Sequence, residues 1–258
     1  MTRRPGVARL LETEGLVKSF GGVNAVDGLD FHVNEGEILG VIGPNGSGKT
    51  TLFNTISGFL KPTAGTIRFQ GTNIAGHSAH RVAKAGLIRT FQLNVLFSTF
   101  SVLDNIDLAF HLQRKTGPIG AFFRPQHVRE EEAEFMRRAE DILDQAGMTD
   151  RIDQYAHQLS YGWSKTLTLA IGLATRPKLL MLDEPITGIA PNRVDAIAGL
   201  IKEANREHGV TVCLIEHNVN LIMEMCDRIV ALNFGQKMAD GLPDEVANHP
   251  KVIQAYLG

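Results

Sequence analysis

Leu29, Phe31 and Val33 alternate with polar neighbours, and this period of two predicts a half-exposed strand that ends at a turn over Asn34-Glu35-Gly36. Ile38 to Ile42 is a short uncharged run, the pattern of a parallel strand buried on both faces. Thr66 to Gln70 alternates again through Ile67 and Phe69 and reads as an antiparallel strand. Between about residues 100 and 158 the period changes. Phe135, Met136, Ala139, Ile142, Leu143 and Ala146 recur at helical spacing, and the charged run from Arg129 to Glu134 reads as a solvated helix face. From Leu179 the order becomes strand, helix, strand: an apolar run to Leu182, a helix face over Val194, Ile197, Ala198, Ile201 and Ala204 closed by Gly209, and a second buried run from Val210 to Ile215. Such alternation implies βαβ units, a parallel sheet and covering helices. The plan is an α/β body interrupted by a helical insert, with no internal repeat, low-complexity segment or long linker.

Composition narrows the class. The 258 residues are 43% hydrophobic and 21% charged, enough for a large core. The 26 Lys and Arg against 28 Asp and Glu leave a net charge of −2, which argues against a dedicated nucleic-acid binder. Cys213 and Cys226 make no disulfide framework and read as small buried hydrophobes. The most apolar stretch, Leu167 to Leu182, is broken by Arg176, Pro177 and Lys178, short of the roughly 18 residues a membrane span requires. Met1 to Arg9 is basic without an apolar core after it, unlike a secretory signal. The expectation is a soluble cytoplasmic protein, free to sit on a membrane partner.

Two motifs carry chemistry. Gly43-Pro44-Asn45-Gly46-Ser47-Gly48-Lys49-Thr50 fits G-x-x-x-x-G-K-[ST]. Its glycines let successive N–H groups curl toward phosphate oxygens, and the segment with Leu52, Phe53 and Ile56 predicts a helix whose positive end faces the anion. Lys49 is placed to reach the β- and γ-phosphates and the Thr50 hydroxyl to ligate Mg²⁺. The strand Leu179 to Leu182 ends in Asp183 and Glu184. Ligands of open α/β sheets bind beyond the carboxyl ends of strands, so Asp183 is suited to hold Mg²⁺ through water and Glu184 to polarise an attacking water.

Three further segments join these in a fixed order: Arg89-Thr90-Phe91-Gln92, Leu159-Ser160-Tyr161-Gly162-Trp163, and Ile215-Glu216-His217. From about residue 14 to 258 the chain resembles the nucleotide-binding subunit of ATP-binding-cassette (ABC) transporters. Asp183-Glu184-Pro185-Ile186-Thr187-Gly188 and the tail Val252 to Gly258 make it similar to the ATPases of branched-chain amino-acid importers, a subgroup that also takes up urea, amides and aromatic acids. The resemblance implies an α/β P-loop NTPase fold over residues 1–258, with an antiparallel β subdomain and a helical subdomain inserted at about 93–165. It implies ATP and Mg²⁺ as ligands, with phosphates held by Asn45, Gly46, Ser47, Gly48, Lys49, Thr50 and Thr51. Phe20 would stack on adenine, a contact worth roughly 1–3 kcal/mol, with Val26 adding apolar surface. Gln92 would touch Mg²⁺ and the attacking water, beside the metal ligands Thr50 and Asp183. Glu184, His217 and Gln92 would form the catalytic set. Ser160 is a good N-cap residue for the following helix, and in the family Ser160 and Gly162 would cover the γ-phosphate of a second subunit. Implied partners are two transmembrane permeases, a second and related ATPase, and indirectly an external solute-binding protein, at the cytoplasmic face of the inner membrane, without nucleic acid.

Three positions depart from the family pattern. Tyr161 stands for the first Gly and Trp163 for the Gln of LSGGQ, and Ala190 stands where many members place an Asp that links the two sites. An indole near the partner's ribose would stack there or obstruct closure, which keeps open a mainly regulatory, ATP-holding role in an asymmetric pair. A small-molecule kinase would need a lid and acceptor site. A non-transport ABC ATPase would carry a long coiled-coil insert or two cassettes. The stretch Thr116 to Val128 reads as a loop packed on its own subdomain. The cargo leaves no mark, because no residue here need touch it.

Overall fold

The computed structural model of the chain describes residues 8–90, 96–113 and 126–257. Its strands in chain order are β1 (Arg9–Phe20), β2 (Val23–Asn34), β3 (Ile38–Ile42), β4 (Ala64–Phe69), β5 (Thr72–Asn73), β6 (Leu87–Thr90), β7 (Leu179–Asp183), β8 (Thr211–Ile215), β9 (Arg228–Asn233) and β10 (Gln236–Gly241). The described α-helices are α1 (Lys49–Ile56), α2 (Ala79–Lys84), α3 (Val102–Asp107), α4 (Gln126–Gln145), α5 (Tyr161–Ala174), α6 (Pro191–His208), α7 (Val219–Met225), α8 (Pro243–Ala247) and α9 (Pro250–Leu257).

The strands form two sheets, an antiparallel one ordered β2-β1-β4-β5 and a six-stranded one ordered β10-β9-β3-β8-β7-β6. In the second sheet β9, β3, β8, β7 and β6 run parallel and β10 pairs antiparallel at the edge. The uncharged runs are apolar at every position because both faces are covered. Ile38, Ile42, Leu180, Leu182, Val212 and Leu214 face one core with α4, α5 and α6, while Leu39, Val41, Leu179, Met181, Cys213 and Ile215 face another with α1 and the antiparallel sheet. Each fully buried Leu or Ile contributes roughly 1.5–3 kcal/mol, so a polar residue at Leu39 would open the seam between the sheets. Arg228 ties the seam at its rim, donating to His32 O at 2.7 Å, Glu37 Oε1 at 2.8 Å and Asp240 Oδ1 at 2.6 Å.

Helix ends follow the local chemistry. Ser101 caps α3 by accepting from Asp104 N–H at 3.0 Å, and Asp104 returns the bond to Ser101 N–H at 3.2 Å. Pro191 opens α6, and Gly209 closes it at φ 64°, a left-handed turn that glycine adopts without steric cost. Three expectations shift. The β-rich stretch expected over residues 16 to 42 begins earlier, at Arg9, because β1 pairs along both β2 and β4. The strand read as Thr66–Gln70 is Ala64–Phe69, and Gln70 turns out of it at φ 51°. Met136 is 43% exposed, because the buried stripe of α4 follows Val128, Phe135, Ala139 and Leu143. Cys213 and Cys226 are buried free thiols, and burial pushes Cys226 up to about 12. Among the described residues no helix is long and apolar enough to cross a membrane.

Candidate functional site

Because β3, β8, β7 and β6 are parallel neighbours, their carboxyl ends share one edge, and residues far apart in sequence meet there. The phosphate loop leaves β3 at Gly43 and enters α1 at Lys49. Gly43 (φ 153°) and Gly48 (φ 99°) permit backbone contacts no side chain allows: a Cβ on either would run into the carbonyl of Leu232 or of Ala25. Gly235 N–H donates to Ser47 O at 3.0 Å and fastens the loop to the β9–β10 turn. Lys49 is buried inside the curl, donating to Gly43 O at 2.7 Å, Pro44 O at 3.0 Å and Ser47 Oγ at 3.3 Å. Burial lowers its pKa, opposed by the nearby charges of Glu184 and Asp183. Asn45, Gly46 and Thr50 are exposed at the rim, Gly48 and Thr51 are half-buried, and Ser47 is buried.

Asp183 ends β7 in a buried ion pair, its Oδ2 2.8 Å from Arg89 Nη2, and Arg89 Nη1 donates to Asn54 Oδ1 of α1 at 2.6 Å. Thr50 and Asp183 supply a hydroxyl and a carboxylate, hard oxygen donors of the kind Mg²⁺ takes together with phosphate oxygens and water. Among the described residues no group of three or more His, Cys, Asp or Glu is assembled that could hold a metal.

Glu184 sits at φ 51°, a left-handed conformation that costs a non-glycine residue about 1–3 kcal/mol and that marks functional sites. Its N–H donates to Ile215 O at 2.9 Å, and its Oε1 lies 3.0 Å from His217 Nε2. The expected pair of Glu184 and His217 is thus in direct contact, joined across the β7–β8 edge. Gln92 lies outside the described residues, two positions beyond the end of β6.

The other expected contacts divide. Phe20 is 47% exposed, with Lys18 Nζ over its ring at 4.8 Å from the centroid. Val26 is buried in the antiparallel-sheet core at 1% exposure, a correction to its reading as nucleotide-contacting surface. Ser160 occupies the N-cap position of α5, but its side chain makes no cap bond. The exposed hydroxyl is left for another acceptor or donor. Gly162 is half-buried beside it in the first turn. Trp163 has a use within this chain. The guanidinium of Arg193 lies 3.2 Å from its ring centroid and that of Arg151 4.2 Å, and Arg193 Nη2 also donates to Thr166 Oγ1 at 2.9 Å. Burial lowers the Arg193 pKa, with the charge of Arg151 adding to it.

Sequence reasoning passed over Lys165 and Arg193, and gave Arg89 and Glu216 only flanking places.

Comparison with known proteins agrees with this geometry. Residues 26–187 match the ABC transporter family model, and residues 236–258 match that of the branched-chain amino acid ATP-binding cassette transporter. The high-affinity branched-chain amino acid transport ATP-binding protein BraF of Pseudomonas aeruginosa is 41% identical over 249 residues, covering 96% of this chain and 98% of its own. LivG of Escherichia coli, of the same description, is 39% identical with the same coverage. A nucleotide-free ATP-binding cassette from an ABC transporter superposes with TM-score 0.82 at 32% identity over 97% of this chain and all of that one. The ADP conformation of the cassette MJ1267 gives the same TM-score and identity, over 97% of this chain and 99% of that one. With such identity running through nearly the full length of both partners, the chain belongs to the ABC transporter family, as an ATP-binding subunit that hydrolyses ATP.

Proposed function

We propose that this subunit powers uptake of branched-chain amino acids, or of a related amide or organic acid, through two permease subunits at the cytoplasmic face of the inner membrane. The observation that supports the cargo class is the match of residues 236–258 to the branched-chain model, since that segment lies outside the part common to all cassettes. A second, related ATPase completes the complex, with an external solute-binding protein delivering the cargo. Residues 1–258 act as one nucleotide-binding domain, with about 93–165 as the helical subdomain inserted within it.

In this reading Phe20 stacks on adenine, and residues 45–51 hold the phosphates with backbone N–H groups and Lys49. Lys49 exchanges its bonds to Gly43 O and Pro44 O for phosphate oxygens, which are stronger because both partners are charged. Thr50, Asp183 and Gln92 hold Mg²⁺, which neutralises phosphate charge when bound. Glu184 takes the proton of the attacking water, and His217, bonded to Glu184, donates to the γ-phosphate. Ser160 and Gly162 cover the γ-phosphate of the other subunit, so ATP favours the closed pair and its hydrolysis releases it. A mainly regulatory role drew its support from Trp163 and Ala190, and the stacking of the indole on Arg151 and Arg193 weakens the first.

The test is co-purification of the tagged chain from gently solubilised membranes, followed by uptake into proteoliposomes of what comes with it. Recovery of two permeases and a second cassette, with ATP-dependent entry of labelled leucine, is the expected result. Uptake of urea but not leucine would move the cargo within the subgroup. Recovery of no membrane protein would overturn the proposal.

A further inference from the structure

The ammonium of Lys165 has no part in the hydrolysis scheme above, yet it is 6% exposed in a helix whose other buried residues, Thr166 apart, are apolar or glycine, among them Leu167, Leu169, Ala170 and Ala174. Its Nζ donates to two main-chain oxygens, Glu184 O at 2.6 Å and Thr187 O at 2.8 Å. Removing an ammonium from water is costly, and a methionine of similar length would fill the same space without that cost. A charge retained there is explained by the two carbonyls it holds.

The same loop is gripped from its amide side by Glu216, which is 2% exposed at the end of β8. Glu216 Oε1 accepts Ile186 N–H at 2.8 Å, and its Oε2 accepts His217 N–H at 3.1 Å and the Thr187 hydroxyl at 3.5 Å. Burial pushes the Glu216 carboxyl up, against the two backbone N–H groups and the Lys165 charge. Residues 184–187 therefore lie between two buried groups of opposite sign, one taking the carbonyls and the other the amide.

What they hold is the strained residue. Glu184 keeps φ 51°, and from that conformation its Oε1 lies 3.0 Å from His217 Nε2. Tyr161 covers the arrangement: the Lys165 Nζ lies 5.3 Å from its ring centroid, and the ring packs on Gly188, where an added Cβ would come within 3.1 Å of it. The tyrosine that departs from the usual signature glycine thus lies over the Lys165 ammonium.

We propose that Lys165 is a positioning residue for ATP hydrolysis: acting with Glu216 across residues 184–187, it holds the Glu184 main chain in the left-handed conformation that aims the carboxylate at His217. The inference rests on the reading of Glu184 as the group that activates the water. Lys165 acts through the main chain of residues 184–187, bonding Glu184 O and Thr187 O.

The experiment compares the full chain with Lys165→Met, Lys165→Arg and Glu184→Gln, measuring steady-state ATP hydrolysis and the Kd for ATP by equilibrium dialysis. Lys165→Met lowers kcat at least tenfold, about 1.4 kcal/mol in the barrier, while KM and Kd stay within about twofold. Lys165→Arg restores at least about a third of wild-type kcat, because a guanidinium can donate to both carbonyls. A methionine variant with wild-type kcat overturns the proposal, as does one whose loss lies in ATP affinity. An arginine variant as slow as the methionine variant overturns it too. Should the methionine variant not fold, Lys165→Gln carries the test: one amide donor predicts a loss of about threefold to tenfold in kcat at unchanged Kd, and unchanged kcat overturns the role. Glu184→Gln separates the two readings. If it turns over ATP like wild type, the role of Glu184 itself falls. If it is inactive while Lys165→Met is active, only the role of Lys165 falls.

Discussion

Replacing Trp163 by Gln, the residue usual in the family signature, tests whether the indole serves its own chain or a partner's nucleotide. In the structure two guanidinium groups lie against the ring, with Arg193 at 3.2 Å and Arg151 at 4.2 Å from its centroid. A cation–π contact contributes about 0.5–1 kcal/mol when exposed and about 2 kcal/mol when desolvated. Two such contacts at a half-buried ring amount to about 1–3 kcal/mol, before any apolar packing is counted. For a chain of this size each kcal/mol moves the melting temperature by about 2–4 °C, so Trp163→Gln should lower Tm by about 2–12 °C. The assay is a thermal melt followed by circular dichroism, run as a double-mutant cycle with Arg193→Met. A coupling energy of about 0.5–2 kcal/mol is expected, because each single variant removes the same contact. A Tm within about 1 °C of wild type, or strictly additive losses, would refute the stacking argument. An unchanged Tm together with altered ATP affinity in the ATP-locked dimer would place the indole on the nucleotide instead.

Four other outcomes follow from the geometry. Glu184→Gln should abolish turnover, by about 10²–10⁴-fold for a lost general base, and trap an ATP-bound dimer on size-exclusion chromatography; unaltered hydrolysis would remove Glu184 from catalysis. Lys49→Ala removes a charge-assisted contact worth about 1.5–3 kcal/mol, so ATP affinity should fall by about 10- to 100-fold, measured by equilibrium dialysis; unchanged affinity would count against the cradle. Arg89→Met leaves Asp183 buried without its 2.8 Å partner and should cost about 3–5 kcal/mol in urea melts, whereas a loss below about 1 kcal/mol would mean the pair is not desolvated. The Asp240 carboxyl is pushed up by burial, but Arg228 and Lys237 outweigh this and hold it below its ordinary 3.8. Its stabilising contribution is therefore present above that value and is lost as pH falls through the depressed one, so Asp240→Asn should flatten the acid limb of a stability–pH curve, and an unchanged limb would refute the assignment.

The sequence by itself determined three strands of the parallel sheet, β3, β7 and β8, together with the phosphate loop and the acid pair. Each is a local matter: an uncharged run has no stable place except between two covered faces, and a loop of glycines ending in Lys49 must precede a helix N-terminus to be of use. The same locality made Gly209 legible as a helix end. Only the tertiary structure decided which side chains meet. Strand order β3-β8-β7-β6 brought Glu184 onto His217 and Arg89 onto Asp183, and no spacing along the chain encodes that order. It also withdrew Val26 into the core and turned Trp163 toward Arg151 and Arg193. The roles of Lys165 and Glu216 were not legible for the same reason. A charged residue in sequence reads as solvent-facing, and its burial is tolerable only once a distant segment supplies the carbonyls and amides that satisfy it.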